Sequence, residues 1–117
     1  MGTSVQLTDP FVSEVATEAG NDFTWVEVEH SYLDMAGVLG HIMTVRGTST
    51  APLVHVAYND PNVIKSYLDL APAGIIAPMI QSAKEAAQLV AACRYHPKGN
   101  WGFGPVRNMF GQATMDE

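Results

Sequence analysis

A chain of 117 residues with 47% hydrophobic content has the size of one domain and enough apolar residues for a packed core, while 15% charged residues are too few for a disordered or charge-solvated chain. The formal net charge of -6 is concentrated early: Asp9, Glu14, Glu18, Asp22, Glu27, Glu29 and Asp34 all precede the first basic residue, Arg46. No Lys/Arg cluster exists to bind nucleic acid or to dock on an anionic membrane. Cys93 is the only cysteine, which excludes an intramolecular disulfide and a Cys-based zinc site; within a helical pattern it reads as a small buried apolar residue rather than a reactive thiol. No basic-then-apolar leader and no run of ~20 apolar residues is evident, so the expected setting is the cytoplasm, without membrane insertion.

In chain order, residues 2–7 form a short Val/Leu-containing strand. Asp9 and Pro10 supply a cap and a first-turn proline, and Phe11, Val12, Val15, Ala16 and Ala19 follow at helical spacing until Gly20 closes the helix. Phe23–Val28 is a second strand. Leu33, Ala36, Val38, Leu39, Ile42, Met43 and Val45 then predict a helix up to about Arg46, despite Gly37 and Gly40. After a turn at 47–51 comes a third strand, Pro52–Ala57. Asn59, Asp60 and Pro61 repeat the cap-plus-proline signature before a helix lined by Val63, Ile64, Tyr67, Leu68 and Ala71. Ala73–Pro78 is a fourth, nearly all-apolar strand, and Ser82 with Glu85 makes a capping box for a helix running to about Arg94. These units, in series over residues 1–95, call for a parallel α/β sheet covered by helices. Residues 96–117 read as a Gly/Pro-rich loop and tail, with Gly99, Gly102, Gly104, Pro97 and Pro105. Two frames fit: an open doubly wound sheet, or four consecutive βα units making half of a (βα)8 TIM-type barrel, which needs about 250 residues when complete.

The functional end of a parallel sheet is the carboxyl end of its strands. By alternation Phe23, Trp25 and Glu27 share one face of the second strand, and Leu53, His55 and Ala57 share one face of the third. If the strands are neighbours, Glu27 and His55 point the same way, ~4.8 Å apart. Such a carboxylate–imidazole meeting is open to three readings: an acid/base pair, a metal-binding pair, or a structural hydrogen bond. His30 lies just past the strand end with Glu29 beside it. His41 and His96 read as surface residues. Asp69, near the end of the third helix, opposes the helix dipole, a mild misfit that invites a function. The glycines at 99, 102 and 104 match neither a P-loop nor a dinucleotide-binding fingerprint.

The ordered series Asp22-Phe-Thr-Trp-Val-Glu-Val-Glu-His30, Pro52-Leu-Val-His-Val-Ala-Tyr-Asn-Asp-Pro61, Ile64-Lys-Ser-Tyr-Leu-Asp69, Gly74-Ile-Ile-Ala-Pro-Met79 and Arg94-Tyr-His-Pro-Lys-Gly-Asn-Trp-Gly-Phe-Gly104 resembles the HpcH/HpaI aldolase/citrate lyase family. The likeness runs from about Gly2 to Phe110 and covers the spacing between motifs, although no single motif would suffice. It implies a (βα)8-type barrel and a carbon–carbon lyase that forms or cleaves a hydroxy-keto acid, joining a 2-keto acid to an aldehyde. It also implies a divalent metal of the Mg²⁺ or Mn²⁺ class that stabilises the pyruvate enolate. By position it makes His30 the acid/base histidine, Glu27 its support, His55 a substrate-binding residue, and Asp69 a residue contributed across a subunit boundary.

Three departures accompany the likeness. His55 stands where the family carries an Arg, and imidazole is shorter and lacks the bidentate fork. Trp101 replaces an Arg in the Gly-rich loop. The family's metal-binding Glu and Asp belong to later strands, so no metal ligand is assigned within these 117 residues. The resemblance therefore leaves two expectations: an aldolase, or a truncated, catalytically incomplete relative. In either case a homo-oligomer or a complementing half-barrel is expected to cover the open core and sheet edges.

Overall fold

The computed structural model describes residues 1–104 and 106–110. Strands β1 (Gly2–Val5), β2 (Phe23–Glu27), β3 (Ala51–His55) and β4 (Gly74–Ile76) alternate with helices α1 (Phe11–Glu18), α2 (Met35–Val45), α3 (Pro61–Leu68) and α4 (Ala83–Ala92). All strand pairs are parallel, and the sheet order is β1-β2-β3-β4. A doubly wound sheet reverses direction at a switch point. This order never reverses, so the barrel-type frame holds, with four consecutive βα units.

Register divides the sheet into two faces. Val5, Val26, Val54 and Ile75 are in line across the strands and face the helices. There they join Val38, Ile42, Ile64 and Ala92 in one core cluster. β-branched residues suit this face because their side chains pack tightly against a pleated surface. The opposite face is layered: Ser4, Trp25, Leu53 and Gly74 form one row, and Glu27, His55 and Ile76 form the next, at the carboxyl ends.

The helix starts follow their caps. Asp34 Oδ1 accepts the Gly37 N–H at 2.8 Å, so α2 begins at Met35 and leaves Leu33 in the preceding loop, where it is nonetheless buried. Asp60 Oδ1 accepts the Asn62 N–H ahead of Pro61. At α4 the capping box forms: Ser82 Oγ accepts the Glu85 N–H, and the Glu85 carboxylate accepts the Gln81 N–H. At α1, Asp9 Oδ1 accepts the Phe11 N–H. The face of α1 is narrower than its periodicity suggested, however. Val12, Ser13 and Ala16 turn inward, while Phe11 is 62% exposed and Val15 is exposed beside it. The tail folds back on α4 through Asn100 N–H to Ala91 O and Trp101 N–H to Arg94 O. Gly99 is obligatory there, because a Cβ would run into the carbonyl oxygens of Ala91 and Arg94. One 3₁₀ turn, Arg107–Met109, follows within the segment read as loop; Pro105 and residues 111–117 lie outside the described residues. Among the described residues no helix is long and apolar enough to cross a membrane.

His41, expected at the surface, is fully buried. Its Nε2–H donates to Leu7 O at 2.7 Å, and its Nδ1 accepts the Ser13 hydroxyl at 2.7 Å in the neutral ring. This histidine therefore ties α1, α2 and the loop after β1 together. Thr24 Oγ1 is the opposite case: it is buried on the helix-facing side, with no hydrogen-bond partner among the described residues. An unpaired buried hydroxyl carries its desolvation cost uncompensated. Thr24→Val is therefore expected to raise unfolding free energy by about 1 kcal/mol, read as a shift of the urea midpoint at unchanged m-value.

Candidate functional site

Glu27 ends β2, directly opposite His55 at the end of β3. The two residues are 7% and 9% exposed. His55 Nδ1 lies 2.8 Å from Glu27 Oε2. A carboxylate only accepts, so Nδ1 carries the proton and Nε2 is the nitrogen left for another partner. Trp25 Nε1–H donates to the same Glu27 oxygen at 3.0 Å, and the His30 backbone N–H donates to Oε1 at 3.1 Å. Burial pushes the Glu27 carboxyl up, but the hydrogen bonds from His55, the His30 backbone and Trp25 outweigh it and hold the group below its ordinary value. The Trp25 ring meets His55 edge-on, with centroids 5.0 Å apart, and closes the cluster from below.

Glu27 also shapes the loop that follows it. Its backbone carbonyl accepts the Ser31 hydroxyl at 2.5 Å, and Ser31 Oγ accepts the Leu33 N–H. The chain thus curls over the strand end, and Glu29 turns back toward β3. Glu29 Oε2 lies 3.4 Å from His55 Nε2 and 3.4 Å from His30 Nε2. Glu29 was read from the sequence only as a neighbouring charge; the structure makes it the link between the two histidines. The signal was present in the alternation of Glu27 and Glu29, but β2 stops at Glu27, and alternation does not say where a loop residue goes. The His30 side chain is 77% exposed at the rim. Beside Glu29, an open cavity of about 490 Å³ is bordered by Tyr58, Asn59, Met79, Glu85 and Gln88. Met79 adopts a left-handed φ of 57°, a conformation that costs an L-residue about 1–2 kcal/mol and recurs where a loop is held for a purpose.

Asp69 is not brought to this cluster. It caps the end of α3, which leaves the carboxyl end of β3 and runs about 12 Å back toward the amino end of β4. There Trp101 Nε1–H donates to Asp69 Oδ1 at 3.3 Å, with the Trp101 ring stacked on Tyr95 at 4.3 Å. Within one chain, then, Glu27, Glu29, His30 and His55 assemble, while Asp69 and Trp101 meet at the other end of the sheet.

A metal ion implied by the resemblance can be tested against this donor set. Glu27, Glu29 and His55 each place a ligating atom within 4.8 Å of the others. The oxygens of Glu27 are occupied by N–H donors, however, and direct ligation by His55 Nδ1 would break the 2.8 Å bond. The arrangement that keeps every hydrogen bond offers His55 Nε2 and Glu29 Oε2 outward, with Glu27 behind His55. A carboxylate orienting an imidazole in this way is a recurrent support for metal-binding histidines. The residues fit a cation on that geometry.

A run of parallel βα units with an acid/base cluster at the strand carboxyl ends is the organisation of barrel-type α/β proteins, which bind their ligands at that end. The family model for HpcH/HpaI aldolase/citrate lyase matches residues 2–110, and the chain belongs to that family. It is similar to the 5-keto-4-deoxy-D-glucarate aldolase of Klebsiella pneumoniae subsp. pneumoniae, 34% identical over 99% of this chain and 49% of that protein. The hydroxypyruvate/pyruvate aldolase of Deinococcus radiodurans is 34% identical over 89% of this chain and 38% of its own. The crystal structure of an HpcH/HpaI aldolase from Desulfitobacterium hafniense matches with a TM-score of 0.81 at 26% identity, over 88% of this chain and 40% of that one. The chain spans about half or less of the length of these relatives.

Glu27→Gln keeps the shape of the side chain but presents an amide N–H₂ where donors already point. It is expected to lower unfolding free energy by about 1–3 kcal/mol and to shift Trp25 fluorescence. The pH dependence has a definite sign. Because the folded carboxyl lies below the ordinary 4.5, its stabilisation is present above that value and lost as pH falls through the folded value. Denaturant titrations of both proteins from neutral to acid pH should show a shallower acid limb for Glu27→Gln.

Proposed function

We propose that this chain carries the acid/base and substrate-orienting part of an aldolase site, forming or cleaving a hydroxy-keto acid through the enolate of a pyruvate-type 2-keto acid, with an aldehyde as second substrate. The observation that carries the reading is the buried Glu27–His55 pair with His30 beside it, at the carboxyl end of the sheet, in a chain of this family. His30, exposed at the rim, exchanges a proton with the carbon that becomes nucleophilic, or with the hydroxyl group in the cleavage direction. Glu27 holds the His30 backbone through Oε1 and the His55 ring through Oε2, so both imidazoles start from defined positions. His55 presents Nε2 to the keto acid. A divalent cation held at Glu29 would supply Lewis-acid support for the negative charge of the enolate. Asp69 serves a neighbouring subunit, because in its own chain it is turned to Trp101.

A second reading, in which the chain works only when a second copy or a separate half-barrel completes it, is favoured by the half-buried Phe23, Trp25 and Leu53 on the face away from the helices. A cytoplasmic location accompanies either reading.

Purified protein with Mg²⁺ or Mn²⁺ is expected to exchange the methyl protons of pyruvate with solvent deuterium, followed by proton NMR, and His30→Ala to abolish the exchange. Absence of exchange in the unmodified protein would overturn catalysis by the chain itself. Size-exclusion chromatography with light scattering separates the second reading: a stable, well-behaved monomer sinks it.

A further inference from the structure

We propose that the amino end of the sheet carries a second ligand site, in which Arg46 and Arg107 grip a small organic dianion whose negative groups are carboxylates or a phosphate ester.

The site is a cavity of about 390 Å³, the size of a small-molecule pocket. It lies where α2 ends and where β3 and β4 begin. From Ala51 at this cavity, β3 runs about 13 Å to His55 at the other rim, so the two sites are separate. The lining is apolar at Ile42, Val45 and Pro52 and cationic at Arg46 and Arg107.

Charge is the main support. The chain holds twelve acidic residues and only six Lys and Arg, yet two of those six meet here. Their guanidinium carbons lie 5.2 and 5.9 Å from the centre of the same Phe110 ring. No Asp or Glu lines the cavity, and among the described residues neither arginine has an ion-pair partner. Asp22, at the same end of the sheet, is paired with the Met1 amino group. Two cations held together without a counter-charge repel each other; a dianion between them replaces repulsion with attraction. Guanidinium forks also match carboxylate and phosphate oxygens two at a time.

The surroundings hold this arrangement in place. Arg107 Nη1–H donates to Leu70 O at 2.7 Å, which sets its guanidinium against the α3–β4 loop. The next residue, Ala71, is held at a left-handed φ of 61°, a conformation that persists only where neighbours impose it. The carboxyl end of α2 would oppose an anion, but its carbonyls are engaged. Met43 O accepts the Arg46 N–H, and Val45 O accepts both the N–H and the hydroxyl of Thr48. Because Arg46 follows α2 and Arg107 lies in the tail beyond α4, a ligand bound by both ties the tail to the sheet.

Isothermal titration calorimetry on the full chain, with succinate and phenyl phosphate as probes, tests the site. At least one probe is expected to bind saturably at one equivalent and to raise the thermal midpoint; the tighter of the two assigns carboxylate or phosphate ester. Arg46→Gln, an exposed position, is expected to weaken that binding at least tenfold while circular dichroism stays unchanged. His30→Ala, at the opposite rim, should bind like the unmodified protein. The proposal is overturned by an absence of saturable binding of either probe, by equal affinity in Arg46→Gln, or by loss of binding in His30→Ala, which would place the anion at the other rim. The aldolase reading stands or falls separately: binding without pyruvate exchange would sink that reading alone, and exchange without binding would sink this one alone.

Discussion

A carboxylate at 7% exposure has to be satisfied where it stands, and three N–H groups satisfy Glu27. Removing an ion from water costs several kcal/mol unless hydrogen bonds replace the lost hydration. Here the replacement comes from three different places: a tryptophan two residues back on the same strand, a backbone amide three residues on, and a histidine on the neighbouring strand. Each donor is fixed by answering the same acceptor. The β2–α2 loop, the register of β2 with β3 and the tautomer of His55 are therefore not separate features of the rim. They are consequences of one buried charge.

A histidine at position 55, rather than an arginine, decides what this rim can attract. A guanidinium would neutralise one carboxylate permanently and still reach a substrate with its fork. An imidazole fixed at Nδ1 offers a single nitrogen to the rim, and Glu29 already lies beside it. The local field is left negative unless something positive is added.

Much of the fold could be read from short-range pattern. Alternation placed Glu27 and His55 on one face, the cap residues at 60 and 82 set the starts of their helices, and the apolar strand cores are where β-branched residues ran together. What could not be read depended on partners far along the chain. His41 is polar and lies in a helix, which by itself suggests a surface; it is buried because Ser13 and Leu7 supply its two hydrogen bonds. Phe11 and Val15 are apolar at helical spacing, yet α2 covers only the adjacent stripe of α1. Asp69 and Trp101 looked like unrelated oddities until the tail folded back on α4 and brought them together. Glu29 was missed for another reason: strand periodicity ends where its strand ends.

The strands are laid down in chain order, each pairing with the one before it, and this makes the site local in sequence as well as in space. Every member of the cluster lies between Trp25 and His55, inside two adjacent βα units. Its hydrogen bonds are closed by a crossover of fewer than thirty residues. A βα protein built this way carries its polar machinery as a self-contained cassette. Changes in β4, in the Gly-rich loop or in any further strands can redirect what approaches the rim while the wiring around Glu27 stays as it is.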